Sequence, residues 1–134
     1  MQYCLYNAIR TPDGTVLWCQ HRWDYQVHED QVSNEIYMND GVGYYTRRSV
    51  NGVPYEDLSV WVDDTYLVIT DEVRGAKFWG TYGKDGKQER KVISMKEMSD
   101  EHLDAILETQ KHIEGTIFHK LFLLEKDFRK EQHV

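Results

Sequence analysis

Residues 98–115 read MSDEHLDAILETQKHIEG, and here the apolar spacing of the chain changes from about two to about 3.6 residues. Ser99 can accept the first free amide protons of a helix, and Asp100 and Glu101 sit favourably at its positive end. Met98 and Leu103 bracket the cap as a hydrophobic staple. Leu103, Ile106, Leu107, Gln110 and Ile113 then share one face, and Gly115 ends the helix. A second helix is predicted over residues 116–130. Its apolar set, Ile117, Phe118, Leu121, Phe122, Leu123, Leu124 and Phe128, is wider than the usual stripe of about 100°. One sheet face cannot cover it, so the spacing predicts a homo-oligomer in which this helix also meets another copy of the chain.

Upstream of residue 98 the pattern is that of strands joined by tight turns. Aromatic and β-branched runs at 3–9 and 15–23 bracket Pro12-Asp13-Gly14, where proline presets one torsion and glycine accepts a positive one. Glycine turns follow at Asn39-Asp40-Gly41, Asn51-Gly52 and Asp85-Gly86, with apolar runs at 35–38, 42–48, 58–62, 78–82 and 91–95 between them. Residues 65–73, led by Asp63-Asp64, read as a short helix. The expected fold is α+β: an N-terminal antiparallel β-meander of about six strands followed by two C-terminal α-helices. Residues 1–134 are expected to form a single domain, 1–98 mainly sheet and 99–134 helical.

Composition narrows the function. Net charge is −7, which argues against a general nucleic-acid binder, whose affinity comes from neutralising many phosphates. No apolar run of membrane-spanning length and no signal-peptide pattern occurs, so a soluble cytoplasmic protein is expected, with no membrane partner. Cys4 and Cys19 lie on either side of the first turn; in a reducing compartment a pair of buried thiols is commoner than a disulfide.

Against the acidic trend, residues 74–91 hold Arg74, Lys77, Lys84, Lys87, Arg90 and Lys91 with only Asp85 and Glu89 in opposition. Phe78, Trp79 and Tyr82 are interleaved with them. Cations beside aromatic faces suit a ligand with both phosphate and a planar ring; the plainer alternative is a solvated hairpin kept soluble by its lysines. Arg47-Arg48 follows Tyr44-Tyr45, but adjacent strand residues point to opposite faces, so one arginine of the pair lines a given pocket. Arg10 opens the first turn, Arg22 lies beside Trp23, and Arg129 sits near the end of the last helix, where it also complements the helix dipole.

Catalysis has no such anchor. His21, Asp24, His28, Glu29 and Asp30 form the densest metal-type group, yet His21 and His28 have opposite strand parity and no zinc spacing is met. Neither a nucleophile elbow nor a phosphate loop is present, and the glycines from Gly80 to Gly86 precede a strand. Paired acids (Glu56-Asp57, Asp63-Asp64, Asp71-Glu72) fall in turns, where solvated carboxylates are the default. No enzyme activity, cofactor or metal is expected.

Taken in order, Arg10-Thr-Pro-Asp-Gly-Thr15, His21-Arg22-x-Asp24-Tyr25, Trp79-Gly-Thr-Tyr-Gly-Lys-Asp-Gly-Lys87 and Met98-Ser-Asp-Glu-His102 resemble a family of small bacteriophage accessory proteins over roughly residues 8–130. The described function attached to that resemblance is that of phage anti-Thoeris proteins, the first Thoeris anti-defence family. It implies an N-terminal antiparallel sheet, two C-terminal helices, and oligomers that sequester cyclic ADP-ribose-type immune signals in the host cytoplasm without cleaving them. Trp23 stands where relatives are expected to carry histidine, which weakens a metal or acid-base role for that segment. The resulting expectation is a non-catalytic sponge for a small anionic nucleotide, with ligand contacts among Arg10, Arg22, Arg47, Phe78, Trp79, Lys91 and Arg129. Its rivals are an acidic protein-protein inhibitor of a host enzyme and a nucleotide-degrading enzyme built on the His21–Asp30 group.

Overall fold

The computed structural model describes residues 1–41, 48–83 and 85–132. The elements among them are β1 (Gln2–Arg10), β2 (Val16–Cys19), β3 (Tyr25–Glu29), β4 (Ile36–Asp40), β5 (Glu56–Asp57), β6 (Val60–Asp63), α1 (Asp71–Ala76), β7 (Phe78–Thr81), β8 (Lys91–Ser94), α2 (Asp100–Thr109) and α3 (Ile117–Gln132). The fold is α+β, antiparallel strands first and the two longer helices last. Its contacts gather into two compact units, residues 4–61 and residues 1–3 with 62–134.

In the first of these units β1 is flanked by β2 and β5. The β1–β2 register, Arg10↔Val16 through Asn7↔Cys19, is set by the turn that Pro12-Asp13-Gly14 predicts. Gly14 takes φ +90° and its amide donates to Thr11 O at 2.9 Å, a conformation that favours glycine. Ile9, Leu17 and Tyr37 are buried together with Val53 against them, and the Tyr37 hydroxyl donates to Pro54 O at 3.1 Å. Arg48 is buried as well, its guanidinium reaching Asn7 Oδ1 at 2.9 Å, Ser59 Oγ at 3.0 Å and Asp57 Oδ1 at 3.1 Å. Its two Nη groups are met in this way, which offsets the cost of burial, while the buried Nε has no partner among the described residues. Cys4 and Cys19 are free thiols, and burial pushes both up to about 11.

The β3–β4 hairpin departs from the predicted strand list, which had no strand at 25–29 and ran the second strand to 23. Tyr25↔Asp40 through Glu29↔Ile36 are paired. Tyr25 and Val27 point to solvent while Gln26 and His28 are half-buried, so the alternation is polar-inward and gives no ordinary strand signal. The predicted strand at 42–48, with Tyr44-Tyr45 and Arg47, lies outside the described residues apart from Arg48, whose carbonyl accepts from Met38 N at 3.0 Å.

In the second unit, Thr70 caps α1 by accepting from Val73 N at 3.1 Å. The short helix therefore starts later than the acidic pair Asp63-Asp64 implied. Those acids instead act locally: Asp63 accepts from Thr65 N at 2.9 Å and Asp64 receives the N-terminal ammonium at 2.9 Å. Ser99 caps α2 through His102 N at 3.1 Å. A short 3-10 turn (Lys111–Ile113) and Gly115, at φ +79°, lead into α3. Met95, Met98, Leu103, Ile106, Ile113, Ile117, Leu121 and Phe122 are the buried core, each large side chain contributing about 1.5–3 kcal/mol by burial.

Candidate functional site

The predicted ligand residues fall into separate environments. Arg10 pairs with Glu56 at 2.9 Å. Arg22 lies over the ring of Trp23, 5.2 Å from its centroid, and Trp23 is 77 % exposed. Arg47 is outside the described residues. Trp79 and Lys91 share one face of the β7–β8 hairpin, because Trp79 pairs with Ile93 and Thr81 with Lys91. Phe78 is on the opposite face by strand parity. Phe78 and Trp79 therefore cannot both stack on one ligand. Trp79 also meets Phe122 edge-on, centroids 5.6 Å apart at 82°, which places its ring in the packing of the unit.

Arg74, from the same basic segment, is bound internally. It donates to Glu125 from Nε at 2.6 Å and from Nη2 at 3.1 Å, and its guanidinium lies 4.3 Å from the Phe128 ring centroid. Arg129 shares Glu125, donating from Nε to Oε2 at 2.7 Å, and adds Asp100 Oδ1 and Met95 O, each at 2.8 Å. Burial alone would lower the Arg129 pKa, but Glu125 and Asp100 raise it above its ordinary value. Three of the five guanidinium protons are thus used, leaving two for a further acceptor.

Arg129 also lines a cavity of about 350 Å³, together with Asp100, Leu103, Asp104, Lys126 and Lys130. Its size is at the lower end for small-molecule sites. Lys126, Arg129 and Lys130 fall on one face of α3 at helical spacing. Lys126 pairs with Asp104 at 3.0 Å, and the side chains of Asp100 and Asp104 are 73 % and 48 % exposed. Three cations thus face two carboxylates on one concave wall. Lys126 and Lys130 were legible as an i, i+3, i+4 set with Arg129, but nothing in the sequence marks that face as concave.

The metal-type group also resolves differently from its sequence order. His28 Nε2 is 2.7 Å from Asp13 Oδ2, and Asp30 joins them; His21 and Asp24 serve the turn at 20–25 instead. Asp13 accepts from Thr11 Oγ1, Thr15 N and Gln31 N, all at 2.9 Å. The fully buried Asp30 accepts from Asp13 N at 2.8 Å, Val32 N at 3.1 Å, and Ser33 N and Oγ at 2.7 and 2.9 Å. Amide donors from Gln31 above all hold Asp13 well below the usual carboxylate range. Burial would raise Asp30, but the Ser33 and Asp13 amides outweigh it and hold it low. Both carboxylates spend their lone pairs on backbone and hydroxyl donors, so a cation would have to break the two turns they hold. This donor set fits a structural knot and does not fit a metal.

Comparison with protein-family models, with curated proteins and with solved structures finds no match for this chain.

Proposed function

We propose that the protein binds a small phosphate-bearing ligand, of the cyclic adenine-nucleotide kind, in the cavity between α2 and α3 and leaves it chemically unchanged. The observation that carries this is the placement of Arg129, with donors to spare, on the cavity wall beside Lys126 and Lys130. Phosphate oxygens compete well for such a set, since charge-assisted contacts are about twice as strong as neutral ones. The exposed Asp100 and Asp104 can turn to water as the anion enters. The resemblance to phage anti-Thoeris proteins adds the biological role: sequestration of a cyclic ADP-ribose-type signal in the host cytoplasm. Self-assembly belongs to the same reading. Packing within the second unit already takes up Leu121 and Phe122, leaving Leu123, 43 % exposed, for a second copy.

The test is to incubate the protein with cyclic ADP-ribose-type and other cyclic adenine nucleotides, desalt it, heat it and identify what is released. Intact ligand supports sequestration. New products indicate an enzyme, and no uptake favours a protein-protein inhibitor acting through its acidic surface. Lys126→Ala and Lys130→Ala should each weaken binding by about tenfold, the order expected for one charge-assisted contact. Light scattering at micromolar concentration should give an oligomer mass that falls on Leu123→Glu.

A further inference from the structure

In an antiparallel ladder, facing residues alternate between pairs that exchange two backbone hydrogen bonds and pairs that exchange none. At the ends of the β3–β4 hairpin, Asp30 N donates to Glu35 O at 2.8 Å and Gly41 N donates to Asp24 O at 2.9 Å. Those pairs continue the register Tyr25↔Asp40, Val27↔Met38 and Glu29↔Ile36, so Tyr25, Val27 and Glu29 fall at the unbonded positions. Their N–H and C=O groups point away from β4. Among the described residues no strand pairs with β3 on that side. Tyr25 N donates to Asp24 Oδ1 at 2.9 Å, and Glu29 O accepts from Gln31 Nε2 at 3.1 Å. Val27, at the centre of this edge, keeps both of its backbone groups for a partner from outside.

The side chains of the same three residues stand on the outer face of the hairpin with those of Ile36, Met38 and Asp40. Tyr25 and Val27 are 55 % and 56 % exposed, and Ile36 is exposed too. The Tyr25 hydroxyl lies 3.9 Å from Met38 Sδ, so the four apolar side chains form one patch, with Glu29 and Asp40 at its opposite corners. Residues 23–41 hold five acids, Asp24, Glu29, Asp30, Glu35 and Asp40, and no lysine or arginine. His28 turns inward onto Asp13, and the neighbouring Arg22 lies over Trp23. Edge strands are usually blunted by lysine, proline or a bulge; β3 has none of these.

We propose that β3 takes up an extended segment of a partner protein as an added antiparallel strand, one with alternating apolar side chains and a lysine or arginine at each end. Backbone pairing centred on Val27 holds the segment, and its alternate side chains give specificity. Its apolar residues pack beside Tyr25 and Val27 and widen the patch that Ile36 and Met38 continue. One terminal cation meets Glu29, and the other reaches along Tyr25 towards Asp40. Charge selects this occupant. A second copy would set one acidic hairpin against another, whereas a basic segment is drawn to it.

The test titrates the full chain with a short synthetic peptide that alternates valine and threonine and carries arginine at both ends, read by fluorescence anisotropy and NMR. Binding should protect the Val27 amide from hydrogen exchange and shift the side-chain signals of Tyr25 and Ile36. The peptide with glutamate at both ends should bind at least about tenfold more weakly, and one methylated on its valine nitrogens should lose binding. Val27→Lys, at an exposed position, should weaken uptake by about tenfold or more, and Glu29→Lys should narrow the preference for arginine ends. Four results would overturn the proposal: no binding at millimolar peptide, equal affinity for the two charged forms, an unprotected Val27 amide in the bound state, or a dimer of the protein itself that Val27→Lys breaks. The first three are read on the unaltered protein, so they do not depend on a variant folding.

Discussion

Arg74 and Glu125, 51 residues apart in sequence, form a two-point ion pair with Nε–Oε1 at 2.6 Å and Nη2–Oε2 at 3.1 Å. Glu125 is fully buried and receives Arg129 as well, at 2.7 Å. One carboxylate therefore compensates two guanidinium groups that are themselves largely covered, and ties α1 to α3. Such a contact specifies how the elements meet more than it adds net stability, since all three charges had to leave water.

Glu125→Gln should therefore be far more damaging than its small change of shape implies. It leaves both arginines without their shared counter-charge, and the expected loss is about 3–5 kcal/mol. Urea unfolding of the variant checks this; a midpoint within error of the parent protein would show that the arginines find water or another acid without cost.

Lys77→Met should act in the opposite direction. The folded pKa of about 8 lies below the ordinary 10.5, so the unfolded chain binds the proton more tightly between those values. Stability then rises with pH from about 8 to 10.5, and below that window the buried ammonium is a full cost. Removing it should stabilise the protein by about 1–2 kcal/mol at pH 7 after loss of the cation–π contacts. The gain should shrink at pH 10. A less stable variant at pH 7 would contradict the argument.

Asp13 and Asp30 should make the protein acid-sensitive. Both have folded pKa values below the unfolded ones, so their contribution is present above the ordinary carboxylate pKa of about 4 and is lost as pH falls through the folded values. Asp30→Asn should lower the melting temperature at pH 7 and flatten the acid limb of the stability curve. Chelator in excess should change neither quantity in the parent protein, since the lone pairs are already taken by N–H and O–H donors.

Gly41→Ala should destabilise without touching any polar group. A Cβ there would run into His21 O and lie 2.7 Å from Arg22 O, both backbone atoms that can yield only if the turn at 21–24 moves. The expected loss is about 1–3 kcal/mol, measurable by thermal unfolding, with Gly52→Ala as a comparison for a positive φ in open space.

Local signals were sufficient where the determining contacts are local. Ser99 with its following acids, the Pro12-Asp13-Gly14 turn and the 3.6-residue spacing of α2 and α3 are short-range rules, and the α+β class follows from the sequence alone. The Tyr25–Glu29 strand was hidden because Tyr25 and Val27 face water while its polar residues turn inward. The wide apolar face of α3 was visible, but its use within the unit was not. Phe122 meets Trp79, Phe118 covers Lys77, and Glu125, an acid on the apolar side of that helix, answers Arg74. These partners are about 40 or more residues apart, and a residue's periodicity states which way it faces without naming what it meets. Charge counting likewise marked residues 74–91 as basic. Tertiary structure alone decided that Arg74 is neutralised, that Lys77 lies desolvated among rings, and that Arg129 borders a cavity, because pairing, desolvation and concavity arise only when distant segments share the same space.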